Sequence, residues 1–270
     1  MQSVEILKLC PHIHTLLRPR LTDALHYRFD YETDEVALPA LQHLEWWYHS
    51  DAERSGGINS LSSVLSGAPN ISYLFVGGIL TFSRLWLQGG TYPHLQTLRL
   101  ATINGLFLHQ IVSSWSLPSL TYIVLDSPLM NSGWGSIWNA FGHQLKALEF
   151  GKNLRFFTDD QLSSCLNGCP GLEQLNFYLY FTAPAENIQP HTSLTTIRLH
   201  AAVNDLFSNT NNNVAWDLID RHFKVLCGSD LPALRRIILH GDWDSILHNS
   251  RFISIREKLQ DTNRILEISY

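Results

Sequence analysis

The chain has 270 residues, 45% of them hydrophobic and only 16% charged, with a formal net charge of −5. An average soluble domain is roughly a quarter charged, so this chain has too much to bury for intrinsic disorder. Its acidic balance argues against a nucleic-acid binder held by phosphate contacts. Leucine alone supplies 43 residues, and any account of the fold has to explain that number.

Membrane and secretory readings fail early. The longest stretch without a charge or strong polar group is about 73–82, too short for a span of roughly 20 residues. Glu5 and Lys8 interrupt the first apolar stretch, and no cleavable signal pattern follows. Cys10, Cys165, Cys169 and Cys227 make no disulfide framework, so reduced thiols in a cytoplasmic or nuclear protein are expected. One glycosylation sequon, Asn70-Ile71-Ser72, falls in a segment assigned to a buried strand and is read as chance.

Along the chain one pattern returns, Pro-x-Leu-x-x-Leu-x-Leu. Cys10-Pro11-His12-Ile13 opens it, with Arg18 at the last apolar position. It recurs from Leu38-Pro39-Ala40-Leu41 through Trp46, and from Ala68-Pro69-Asn70-Ile71 through Val76. Tyr92-Pro93-His94-Leu95 through Leu100 and Leu117-Pro118-Ser119-Leu120 through Leu125 follow. A weaker copy starts near His143, then Cys169-Pro170-Gly171-Leu172 through Phe177, a weak copy near Thr192, Leu231-Pro232-Ala233-Leu234 through Leu239, and a last one near Asn263. The first apolar positions are 13, 41, 71, 95, 120, 145, 172, 194, 234 and 265, a mean spacing of 28.

Period-two alternation makes each copy a short strand, and proline suits the start of a strand where no ladder donor is needed. Helical patterns are predicted between strands over 59–65, 106–115, 136–141 and 215–226. The clearest follows the capping box Thr158-Asp159-Asp160-Gln161, with Leu162, Cys165 and Leu166 on one face and Asn167-Gly168 as the stop. A strand and a helix in about 25 residues cannot bury both faces alone, whereas stacked parallel neighbours can. The expected fold class is therefore α/β: a solenoid of about ten irregular strand–helix units, with parallel strands on the concave face. It is expected as a single domain, 1–270, uncapped or truncated at both ends, because the chain opens on an apolar unit and stops on Ile265, Ile268 and Tyr270. The stretch 201–230 is a longer inter-repeat insertion. Its polar run Asn209-Thr210-Asn211-Asn212-Asn213 is expected as a connector.

The spacing resembles leucine-rich repeats, and the Cys-Pro-x-Leu and Leu-Pro-x-Leu style resembles the irregular repeat region of F-box proteins from mushroom-type fungi. Two departures stand out. The usual asparagine eight residues after the first leucine survives only as Asn153, its place being taken by residues such as Leu21, Ile79, Ile103 and Tyr180. No F-box is visible within the sequence, which opens inside a repeat. The resemblance implies a substrate-binding surface of a ubiquitin ligase adaptor, with the ligase link only if an F-box lies upstream.

No chemistry-bearing motif stands out. Cys165 and Cys169 are four apart but lack further ligands, and His12 and His14 flank Ile13 without a carboxylate or third ligand. His240-Gly241-Asp242-Trp243-Asp244 reads as a turn. The glycine pairs form no phosphate-cradling loop, and there is no nucleophile elbow or His-Glu-x-x-His. No catalytic residue, metal or cofactor is expected. The residues between the apolar positions are predicted to line the concave face: His43, Glu45 and Trp47, Tyr73 and Phe75, Arg99, Tyr122 and Asp126, Glu149, Asn176 and Tyr178, Arg198 and His200, Arg236 and His240, and Glu267. Tryptophan, tyrosine and arginine dominate interface hot spots, and arginine outnumbers lysine 14 to 5. Glu45, Trp47, Tyr73, Phe75, Arg99, Tyr122, Asp126, Tyr178, Arg198 and Arg236 are thus the candidate contacts for an unidentified protein target. A stand-alone repeat scaffold without a ligase link is the alternative, and neither nucleic acid nor membrane is an expected partner.

Overall fold

A computed structural model describes residues 9–20, 37–79, 89–126, 134–154, 159–201 and 212–269. Leu21, Thr158 and Tyr270, and residues 202–211 of the long insertion, lie outside them. The chain divides into two compact units, Met1–Ser136 and Ile137–Tyr270.

The first unit holds strands β1 (Thr15–Arg18), β2 (His43–Trp47), β3 (Tyr73–Gly77), β5 (Thr97–Ala101) and β7 (Tyr122–Leu125), paired in that order and all parallel. A separate pair joins β4 (Gly90–Thr91) to β6 (Trp115–Ser116), again parallel. Helices α1 (Ser50–Ser55), α2 (Leu61–Gly67) and α3 (Gly105–Ser114) lie between strands. In the second unit β8 (Ala147–Phe150), β9 (Gln174–Tyr178), β10 (Thr196–His200), β11 (Arg236–His240) and β12 (Ile265–Ser269) pair in sequence order, parallel. Its helices are α4 (Trp134–Phe141), in which the division falls, α5 (Gln161–Gly168), α6 (Asn212–Leu226), α7 (Asp244–Leu247) and α8 (Ser250–Asp261).

The recurring leucines explain the pairing. Leu16, Leu44, Leu74, Leu98 and Ile123 are register partners in the first unit, as are Leu148, Leu175, Ile197 and Ile237 in the second. From Leu44 onward all are buried, each worth about 1.5–3 kcal/mol relative to exposure. A one-residue slip would turn each row to the other face. The strand starts are tied alike: one carbonyl accepts two successive N–H groups of the next strand. His14 takes Gln42 and His43, Gln42 takes Ser72 and Tyr73, and Glu173 takes Thr195 and Thr196.

Several expectations are corrected. The α5 N-cap is Asp160, whose side chain accepts from the Ser163 N–H at 2.8 Å, rather than Thr158. Its other oxygen accepts from the Glu186 N–H at 2.8 Å, so Asp160 serves a second segment as well. Asn70 is exposed ahead of β3, its amide donating to the Pro39 carbonyl at 2.8 Å, so the sequon does not sit in a buried strand. Asn212 and Asn213 open α6 instead of extending a polar connector. The last repeat is displaced by two residues: Ile237 faces Leu266 and Leu239 faces Ile268, where the pattern placed Ile268 and Tyr270. Helix α8 runs to Asp261, and the Arg264 N–H still returns to the Leu259 carbonyl at 2.9 Å, so extended structure begins only at Ile265. The misplaced first apolar position exposes Ile265, at 59%.

Arg18, at the one non-apolar strand position, is half-buried with its guanidinium 4.6 Å from the Trp46 ring centroid, and Nη1 donates to the Asn59 carbonyl at 2.7 Å. Burial lowers its pKa, with Glu53 opposing. A cation thus does the packing work of an aliphatic residue. Where asparagine was missing, Ile79 and Ile103 are buried as apolar fill.

Gly142 marks the tightest approach in the second unit. A Cβ there would overlap the Gly168 and Trp138 carbonyl oxygens, both backbone atoms. Gly142→Ala is therefore expected to cost about 1–3 kcal/mol in a urea titration. Full stability in the variant would show that the α4 and α5 ends can separate without penalty.

Candidate functional site

Strand alternation sends Leu44 and Trp46 inward and His43, Glu45 and Trp47 outward on β2. Parallel register then stacks outward residues into rows. In the first unit one row is His43, Tyr73, Thr97 and Tyr122, and the next is Leu17, Glu45, Phe75, Arg99 and Val124. The His43 and Tyr73 rings stack at 4.1 Å and 3°, and Glu45 Oε1 lies 3.1 Å from His43 Nε2. Trp47 meets Phe75 edge-on at 5.2 Å and lies over Gly77, where a Cβ would come within 2.8 Å of its ring. Arg20 caps the same indole at 5.6 Å.

Arg99 ties this patch together. Its guanidinium lies 5.7 Å from the Phe75 ring centroid, and Nη2 donates to Asp126 Oδ2 at 2.7 Å. Burial works to lower its pKa, but the Asp126 hydrogen bond and charge, with Tyr73, outweigh it and the net direction is upward. Glu45, Trp47, Tyr73, Phe75, Arg99, Tyr122 and Asp126 therefore belong to one outward face. Phe75 is only 7% exposed, so it serves as the floor beneath Trp47 and Arg99.

The second unit builds a more polar face. Its middle row is Glu149, Asn176, Arg198, Ile238 and Glu267. Asn176 Nδ2 donates to Glu149 Oε2 at 3.2 Å, and Arg198 Nη1 to Gln174 Oε1 at 3.3 Å. Arg236 forms a bidentate pair with Glu267, both bonds 2.8 Å, which lowers the Glu267 pKa. The row towards the strand ends is aromatic: Tyr178 stacks on His200 at 4.7 Å, and His200 meets His240 edge-on at 5.0 Å. Burial lowers the His200 pKa; Glu149 opposes, while His240 and Arg198 add to it. Tyr178, Arg198 and Arg236 thus share a face of this unit. Gln174 and Arg20 were not singled out from the sequence, because a polar side chain reaching a neighbouring strand has no local signature. Ile238 and Val124 were legible by parity alone, hidden in the runs Ile237-Ile238-Leu239 and Ile123-Val124-Leu125.

Elsewhere in this unit a pocket of about 350 Å³ lies between Pro184–Glu186 and α6, with Arg221 paired to Glu186 at 3.2 Å. Among the described residues no three His, Cys, Asp or Glu side chains converge on a metal position, and no helix is long and apolar enough to cross a membrane. Cys165 and Cys169 are fully buried, and burial followed by the Cys169 contact pushes the Cys165 thiol up. His12 and His14 are exposed. No family model and no curated protein matches the chain.

Proposed function

We propose that the chain is a leucine-rich-repeat recognition module whose outward strand face holds a partner protein, without chemistry of its own. One observation carries the reading: parallel register gathers Trp47, Tyr73, Phe75, Arg99 and Tyr122, from four strands, into one aromatic and cationic surface. Tryptophan, tyrosine and arginine dominate interface hot spots. On the resemblance to F-box repeats, this surface corresponds to the substrate-binding part of a ubiquitin ligase adaptor, held in the cytoplasm or nucleus. That finer reading requires a helical, leucine- and proline-bearing segment in frame upstream of Met1. Sequencing the transcript decides it, and a stop codon directly upstream sinks it.

A stand-alone scaffold is the second reading, favoured by the mutual saturation of the face. His43 stacks on Tyr73 and Arg99 is paired with Asp126, as in a sheet that stabilises itself. The two readings part on one experiment. Trp47→Ala, Tyr73→Ala and Tyr122→Ala together are expected to abolish partner capture by affinity purification, while circular dichroism shows the fold intact. Capture at the wild-type level would leave the scaffold reading standing alone.

A further inference from the structure

Among the described residues, three arginines within strands face outward, Arg99, Arg198 and Arg236, and they differ in how they are paired. Arg99 holds Asp126, and Arg236 holds both oxygens of Glu267. Arg198 is half-buried, and among the described residues its polar partner is the neutral Gln174 amide, through a single 3.3 Å bond. A guanidinium has five donors in a planar fork suited to a carboxylate. Partial desolvation strengthens the pull of such a group on an anion.

The neighbours restrict which anion fits. Arg198 sits in the middle row, two strands from Glu149 on one side and two from Glu267 on the other. With strands about 4.8 Å apart, the row reads negative, positive, negative at intervals of about 9.6 Å. Polyanions are repelled by both flanking carboxylates and by a chain of net charge −5. A single carboxylate between two cations is complementary.

Spacing then selects a backbone conformation. In an extended β-strand, residues three apart point to opposite sides. A polyproline II helix has three residues per turn and a rise of about 3.1 Å, so residues i−3, i and i+3 share one side about 9.3 Å apart. That matches the row. Alongside runs the ridge of Tyr178, His200 and His240, with Ile238 and Asn176 nearly covered in the middle row. Aromatic ridges are what proline-rich segments dock against.

We propose that the outward face of the second unit binds a polyproline-type segment of a partner protein, with a carboxylate at residue i on Arg198 and basic side chains at i−3 and i+3 facing Glu149 and Glu267. This rests on the reading of the strand face as a protein-recognition surface and names the partner's chemistry.

The test uses the full chain and the fluorescent peptide Pro-Lys-Pro-Pro-Glu-Pro-Pro-Lys-Pro, titrated by anisotropy at low salt. Saturable binding is expected. Replacing the peptide's Glu by Gln, or Arg198→Gln in the protein, weakens it about tenfold or more, the loss of a charge-assisted contact. The two changes together cost little beyond either one, because they remove the same contact. Moving the lysines to i−2 and i+2 also weakens binding. A matching urea midpoint for Arg198→Gln confirms that the variant is folded. Equal affinity for the Glu and Gln peptides, an undiminished preference in Arg198→Gln, or displacement by a single-stranded oligonucleotide at equal charge would overturn the proposal. Partner capture that depends on Trp47, Tyr73 and Tyr122 is read on the other unit. Its survival alongside a failed peptide titration removes this inference and leaves the recognition reading in place, whereas failure of both removes both.

Discussion

Replacing Arg264 by Ala should lower the unfolding free energy by about 3–5 kcal/mol, because three carbonyls lose a charged donor at once and each loss costs about 1–3 kcal/mol. Arg264 lies between α8 and β12 and is only 6% exposed. Nη1 donates to the Leu226 carbonyl, and Nη2 donates to the Gly228 and Leu231 carbonyls at 2.7 and 3.0 Å. Leu226 ends α6, where the last turn's carbonyls have no intrahelical partner and the helix dipole favours a cation. One guanidinium therefore satisfies a helix C-terminus and the loop that follows it. Burial lowers its pKa, with Cys227 opposing and Arg235 adding to the shift. Arg264→Met separates the contributions, since it keeps the aliphatic stem and removes the donors. If the methionine variant loses less than about 1 kcal/mol in urea, the three carbonyls find other partners and the role assigned to Arg264 is wrong.

Acid should weaken the second unit through His222. The imidazole is 2% exposed, tilted against Phe177 at 5.6 Å, and Nε2–H donates to the Thr182 carbonyl at 2.8 Å. Burial depresses its pKa to about 4; the Thr182 hydrogen bond opposes this and Arg221 adds to it. In the unfolded chain the group titrates near 6.5. The folded state thus favours the neutral ring, and its contribution is complete above pH 6.5. Below that the unfolded chain takes up the proton first, and stability falls until the folded protein also protonates near pH 4. The loss is about 3 kcal/mol over that window. His200, also depressed by burial, has the same sign. His222→Gln keeps a side-chain donor but does not titrate. Its unfolding free energy should change less between pH 7 and pH 4 than that of the wild type. An identical pH dependence in the two proteins would remove His222 as the cause.

Parity and period carried the outward face well. Once Leu44, Leu74 and Leu98 were recognised as equivalent positions, the side chains of Glu45, Phe75 and Arg99 had to fall on the opposite face. Phe75 shows the limit of that reasoning. Its direction was legible, but its burial follows from Trp47 and Arg99 closing over it, and both reach it from other strands. The last repeat failed for a local reason. Phe252, Ile255 and Leu259 carry a helical spacing that runs into the repeat, and α8 extends to Asp261, which sets where β12 can begin. Similarly, Thr158 and Asp160 are both sound caps by residue type, and it is the distant Glu186 N–H that gives Asp160 a second use there.

The repeat length, the alternation of apolar and polar positions and the charge-poor composition follow from the chain alone, because each depends on neighbours within a few residues. They are enough to require parallel strands with leucine on one face, and so to account for 43 leucines. Which cations find partners is settled only by the packed strands. Arg99 and Arg198 occupy the same place in their repeats and Arg236 lies two residues earlier in its own, yet one meets an aspartate, one a glutamine and one a glutamate. Those partners lie 24 to 31 residues away in sequence. Only register across neighbouring strands brings them within hydrogen-bonding distance.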